Sequence, residues 1–175
     1  MGKFLAGLIV ITALAAGAAV YYLQVYAYYD EVTASGTEDV AITSLTSGAP
    51  EPILYDGFEA IDSDSSPIRY RACFSTPLSQ AMLTETYEVY ESAEPNIGPP
   101  WFTCFDAKEI GKSIEDGEAI AFLGTANIHY GVDRVIAVLP DGRGFAWHQI
   151  NHCGEAVFNG KAAPTDCPPA PESYQ

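Results

Sequence analysis

From Phe4 to Tyr29 the chain carries no acidic or basic residue, with Lys3 just before the run and Asp30 the first acid after it. A hydrocarbon core about 30 Å thick needs about 20 apolar residues at about 1.5 Å rise each, and Phe4 to Leu23 supplies that length uncharged. The run predicts an N-terminal transmembrane anchor over residues 1–29, with a polar domain confined to one side of a membrane. The Lys3 end is expected in the cytoplasm, because Asp30, Glu31, Glu38 and Asp39 follow the run and no Lys or Arg recurs until Arg69. Tyr21, Tyr22, Tyr26, Tyr28 and Tyr29 crowd the exit, where rings with a polar tip favour the headgroup interface, so the helix should leave the hydrocarbon near Leu23. The competing reading is a cleaved signal peptide, with Phe4 to Ala15 as its apolar core and Ala16-Gly17-Ala18 as the cleavage site. Cleavage there would leave a mature chain opening on a hydrophobic tyrosine tract. Both readings export the domain.

Charge agrees with export. The chain holds 8 basic and 23 acidic residues, and with Lys3 set aside the exported part holds 7 against 23, a net charge of about −16. Phosphate recognition needs a basic patch, so this balance argues against a nucleic-acid or anionic-lipid ligand. It suits solubility outside the cytoplasm, or a docking surface for a basic partner.

Cys73, Cys104, Cys153 and Cys167 all lie in the exported part, where an oxidising compartment permits disulfides. Four cysteines allow three pairings, and the one expected joins Cys73 with Cys104 and Cys153 with Cys167, the second bridge pinning a short polar tail. No Cys-x-x-Cys occurs, which argues against a thioredoxin-like redox site.

Residues 30–50, rich in Thr, Ser, Gly and acids, read as a stalk or linker with at most one edge strand from Val40 to Leu45. Residues 51–153 read as the folded domain. Ile53 to Ile61 and Ile68 to Phe74 form a predicted hairpin across a Ser/Asp-rich turn. Thr76-Pro77 offers a helix start running to about Leu83, and Thr86 to Tyr90 alternates as a strand with one wet face. The sharpest local signal is Asp106 as cap, Glu109 at the third helical position and Phe105 before the cap, predicting a helix from Ala107 to Glu115 that Gly117 ends. Ala119 to Leu123, Arg134 to Leu139 and Phe145 to Ile150 follow as strands, the last two joined by Pro140-Asp141-Gly142-Arg143-Gly144. Residues 154–175 read as a polar, Pro-rich tail. The predicted fold class is α+β: a transmembrane helix, then a small, mostly antiparallel sheet with two short helices and disulfides.

Chemistry-bearing residues are sparse. His148 and His152 stand four apart, and two strand residues so spaced lie about 13 Å apart, too far for one metal unless the chain turns after Ile150. They are the candidate metal ligands; otherwise His148 is expected on the solvent side of a strand and His152 in a loop. Ser-based catalysis lacks a nucleophile-elbow pattern, and Gly142-Arg143-Gly144 has no following helix to cradle phosphate. Arg134 and Arg143 are expected in structural pairs rather than as ligand anchors. No catalytic or cofactor-binding residue is assigned and no cofactor is expected.

Several stretches together resemble a known family: Tyr21-Tyr22-Leu23-Gln24-Val25-Tyr26, Arg69-Tyr70-Arg71-Ala72-Cys73-Phe74 with Thr76-Pro77-Leu78, Cys104-Phe105-Asp106, Asn127-Ile128-His129, Gly131-Val132-Asp133-Arg134-Val135, and Asp141-Gly142-Arg143 with Trp147-His148-Gln149. They resemble an uncharacterised family of single-pass proteins from alphaproteobacteria related to Rhodobacter, a domain of unknown function. The likeness extends to about Asn151, and the tail bearing Cys153 and Cys167 departs from the pattern. It implies a bacterial inner-membrane protein with a periplasmic domain, and no activity. The functional expectation is a non-catalytic interaction module or accessory subunit with an inner-membrane protein partner. The rival is a small-ligand or metal-binding protein or enzyme built around Trp101, His129, Tyr130 and His148.

Overall fold

The computed structural model describes residues 2–172 as two compact units that divide between Asp30 and Glu31. The first is α1, Gly2–Val25, in which no residue is buried. Its 24 residues are long and apolar enough to cross a membrane, a property that a membrane anchor and a signal sequence share. It continues past Leu23 into the tyrosine-rich stretch and ends at Val25, where Tyr22 and Tyr26 stack at 6.0 Å.

The second unit contains a six-stranded sheet and a small hairpin. In chain order the elements are β1 (Asp30–Glu31), β2 (Ala41–Thr43), β3 (Pro50–Pro52), β4 (Asp56–Asp62), β5 (Arg71–Ser75), α2 (Gln80–Thr86), α3 (Ala107–Glu115), β6 (Ile120–His129), β7 (Val132–Val138), β8 (Arg143–Ile150) and α4 (His152–Phe158). The sheet order is β1-β4-β5-β8-β7-β6, antiparallel from β4 to β6, and β2 pairs antiparallel with β3. This is the expected α+β class, with four helices among the described residues.

Alternation along the strands builds two buried faces. On one, Ala60, Ala72, Phe74, Phe122, Ile136, Val138 and Ala146 pack with Leu83 of α2 and with Val40, Ile42 and Ile53. On the other, Phe145 and Trp147 of β8 meet Phe105, which precedes α3, edge to face at 6.1 and 6.3 Å. Five successive residues of β8, Gly144 to His148, are therefore buried, and His148 is 2% exposed rather than solvent-facing.

Other expectations change for identifiable reasons. Val40 and Ile42, placed in a stalk, are 1% and 0% exposed, because β2 and β3 fold back onto the sheet. Thr76 does not cap α2: its hydroxyl accepts from Leu78 N and donates to the Leu54 carbonyl, and Ser79 caps the helix by accepting from Met82 N. Residues 86–90 make single bridges, Ser44 to Tyr87 and Val89 to Phe122, rather than a strand. The tail begins with α4, capped by the Asn151 side chain accepting from Gly154 N. By contrast α3 spans Ala107–Glu115 as expected, with the Asp106 carboxylate accepting from Lys108 N and Glu109 N.

Candidate functional site

Three places in the second unit gather chemically interesting side chains. The first surrounds His148. In β8 it faces Arg134 of β7 across the ladder, and Arg134 Nε donates to His148 Nε2 at 3.1 Å. His148 Nδ1, carrying the ring proton, donates to the Pro67 carbonyl at 2.7 Å. Tyr70 stacks on the imidazole at 4.7 Å, and the Arg134 guanidinium sits 4.0 Å from the centre of the Tyr70 ring. Burial, with the Arg134 charge adding to it, pulls His148 down to about 3, so the ring is neutral and both nitrogens are engaged. His129 lies edge-on to it at 5.9 Å and faces an open cleft of about 510 Å³ that Asp62, Asp64, Pro67 and Tyr130 also line. Burial pushes the Asp62 carboxyl up, opposed by Ser63 N–H, Arg134 and His129.

The second is a groove of about 430 Å³ beside β4, lined by Val32, Phe58, Ile61, Trp101 and Phe102, with Glu31 and Glu59 at its rim. Trp101 thus lies in a different concavity from His129 and Tyr130. The expected constellation of Trp101, His129, Tyr130 and His148 is split, and only the last three share a neighbourhood. Neither Val32 nor Phe58 stands out in sequence; Val32 is the one large aliphatic residue in the polar stretch 30–39, a weak signal.

The third lies at α4. His152 Nε2 stands 3.5 Å from Cys153 Sγ, 3.5 Å from Cys167 Sγ and 2.8 Å from Asp166 Oδ2. The chain does turn after Ile150, but His148 and His152 do not converge: one is buried under Tyr70 and the other is exposed at the start of α4. Disulfides join Cys73 to Cys104 and Cys153 to Cys167, the expected pairing. Nothing in the sequence marks Asp166, since its proximity to His152 depends on that bridge folding the tail back.

Three other polar side chains tie elements together. Asp133 accepts from Asn127 N, Asn151 Nδ2 and the Tyr90 hydroxyl, clasping the β6–β7 turn to the start of α4. Arg71, 3% exposed, donates to the Ile68, Tyr70, Asn96 and Ile97 carbonyls and so fastens the loop ahead of α3. Arg143 reaches Asp141 at 2.8 Å and Glu109 at 3.6 Å, so it joins the β7–β8 turn to α3.

Among known proteins, the model of a family described as a family of unknown function, DUF6446, matches residues 40–168. The matched span takes in the tail as far as Pro168, both of its cysteines included. No curated protein and no solved structure matches.

Proposed function

We propose that this chain, which belongs to the family of unknown function DUF6446, is a membrane-tethered, non-catalytic docking subunit of a bacterial inner-membrane complex. In this reading the Lys3 end is cytoplasmic, the domain is periplasmic, and the source is an alphaproteobacterium related to Rhodobacter. Support for the location comes from one apolar helix of spanning length with Lys3 at its start, the acids that follow it and two disulfides. The motif resemblance supports the source.

The observation that carries the docking role is the edge of β4. On that side β4, with seven residues, is bordered by β1, with two, and Asp56, Gly57 and Glu59 are exposed. The opposite edge, β6, is covered instead: Tyr90 N donates to the Ala121 carbonyl and Leu123 N to the Glu88 carbonyl. β1 and the Val32 N–H, which donates to the Ala60 carbonyl, cover only the far end of this edge. The stretch from Asp56 to Glu59, beside a groove of mixed polar and apolar lining, suits an extended segment whose backbone adds to the sheet and whose side chain enters the groove. The occupant is a partner's extended segment carrying one large apolar residue for the Phe58–Trp101 groove and Lys or Arg to face Glu31 and Glu59.

The rival small-ligand or metal reading draws on His129, which faces the cleft. It is weakened by Trp101 lining another concavity and by both His148 nitrogens being engaged.

The test is purification of tagged full-length protein from native membranes in mild detergent, with a photocrosslinking side chain at Phe58. A stoichiometric partner crosslinked at Phe58 and lost in Trp101→Ala and Glu59→Lys supports the reading. A protein that purifies alone and yields no crosslink overturns it.

A further inference from the structure

We propose that His152, Cys153, Asp166 and Cys167 form a redox-gated metal site that takes a zinc-class cation when the Cys153–Cys167 disulfide is reduced. The site is separate from the β4 groove and does not depend on the docking reading.

Three donors of types that suit zinc meet here, two sulfurs and one imidazole nitrogen, all within 4.8 Å of one another. Asp166 Oδ2, 2.8 Å from the same Nε2, is the carboxylate placed to follow as a fourth ligand once the ion takes that nitrogen. Tetrahedral zinc with metal–sulfur bonds of about 2.3 Å and metal–nitrogen bonds of about 2.0 Å has sulfur–nitrogen edges of about 3.5 Å. Both separations from His152 Nε2 to sulfur are 3.5 Å with the disulfide closed, and the sulfurs, bonded to each other here, must part to about 3.8 Å for the ion to bind both. While the sulfurs are bonded to each other neither is a thiolate, and the site is closed.

The sulfur open to attack is identifiable. Cys153 is 3% exposed and fixed in α4, whereas Cys167 is partly exposed in the tail between Pro164 and Pro168. Reduction is thiol–disulfide exchange with a dithiol: one thiolate attacks Cys167 Sγ, and the second resolves the mixed disulfide. Two electrons and two protons end on Cys153 and Cys167, and the reductant becomes a disulfide. Zn²⁺ then displaces both thiol protons, while His152 binds through Nε2 with its ring proton on Nδ1. The exposed edge of His152, whose side chain is 63% accessible, gives the ion its path.

The test uses full-length protein in detergent, oxidised or reduced with a dithiol and desalted without oxygen, with peptide mapping to show which pair has opened. Co²⁺ is the spectroscopic probe and Zn²⁺ the competitor. The reduced protein is expected to bind one equivalent with a thiolate-to-cobalt band and intense tetrahedral d–d absorption that Zn²⁺ abolishes, and the oxidised protein to show neither. Cys153→Ser/Cys167→Ser is expected to lose the bands, and His152→Ala and Asp166→Asn to weaken zinc at least about tenfold. Circular dichroism confirms that each variant is folded. The proposal is overturned if the opened Cys153–Cys167 pair gives no band, or if the double serine variant keeps it. It is equally overturned if oxidised and reduced protein bind alike.

Discussion

Arg134 donates to the same imidazole nitrogen, His148 Nε2, that would otherwise take up a proton, while Nδ1 already spends its proton on the Pro67 carbonyl. Charging the ring would set two cations 3.1 Å apart in a buried site. Burial first, and the Arg134 charge next, hold the folded ring at about 3 against an ordinary 6.5. Above pH 6.5 both folded and unfolded states are neutral and the group is silent. As pH falls from 6.5 towards 3 the unfolded ring gains a proton that the folded one refuses, so stability drops by up to about 1.4 kcal/mol per pH unit. Chemical denaturation at several pH values should show this slope in the wild type and a shallower one in His148→Gln.

Gly131 and Gly154 touch backbone to backbone where α4 lies on the β6–β7 turn. A Cβ on Gly131 would fall 2.4 Å from the Gly154 Cα, and its φ of +73° already suits only glycine. Gly131→Ala should cost about 2 kcal/mol or more, read by thermal unfolding. It should also speed reduction of the Cys153–Cys167 pair by lifting α4, measured by alkylation rate.

The Asp106 cap holds two amide groups at the start of α3, Lys108 N at 2.9 Å and Glu109 N at 3.1 Å. Asp106→Ala should cost about 1 kcal/mol and Asp106→Asn less, since the amide oxygen can still accept. Paired denaturation curves decide this, and equal losses for the two variants would show that something other than the cap's hydrogen bonds sets the cost.

The same cap shows what was legible in the sequence. Asp106, Glu109, Phe105 and Gly117 signal through local geometry, and α3 spans the expected residues. The strands expected at 119–123, 134–139 and 145–150 are also found, the last two joined through the Asp141-Gly142 turn as expected, whereas β6 runs on to His129, six residues beyond its apolar run. Long-range burial was not legible. Whether His148 meets water depends on Tyr70 and the 62–68 loop closing over it, groups about 80 residues away in sequence, and alternation assigns a face without saying what covers it. Val40 and Ile42 were missed for a related reason: three-residue strands flanked by Ser, Gly and Pro look like linker until their two aliphatic side chains are found in the core. Thr76 failed as a cap because a local motif cannot reveal that the Leu54 carbonyl, 22 residues earlier, receives its hydroxyl proton. At the candidate sites, the cysteine pairing could be anticipated from position, whereas the placement of Asp166 beside His152 and of Phe58 beside Trp101 exists only after folding.

The two disulfides should differ in what they protect. Cys73 lies in β5, and Cys104 immediately precedes Phe105, the ring that covers Trp147. That bridge, spanning 31 residues, ties the covering loop to the sheet it shields. The Cys153–Cys167 bridge spans 14 residues and ties a tail to α4. In the chain-entropy model the two loops contribute about 3.7 and about 3.0 kcal/mol, a small gap. Native packing widens it: without the first bridge the Phe105 loop can lift and wet Trp147, whereas the second bridge's loss frees mainly the tail. Cys73→Ala/Cys104→Ala should therefore lower the melting temperature more than Cys153→Ala/Cys167→Ala and red-shift tryptophan emission before global unfolding. Equal melting temperatures with unchanged emission would show that Arg71, through its bonds to the Asn96 and Ile97 carbonyls, is enough to hold the loop in place.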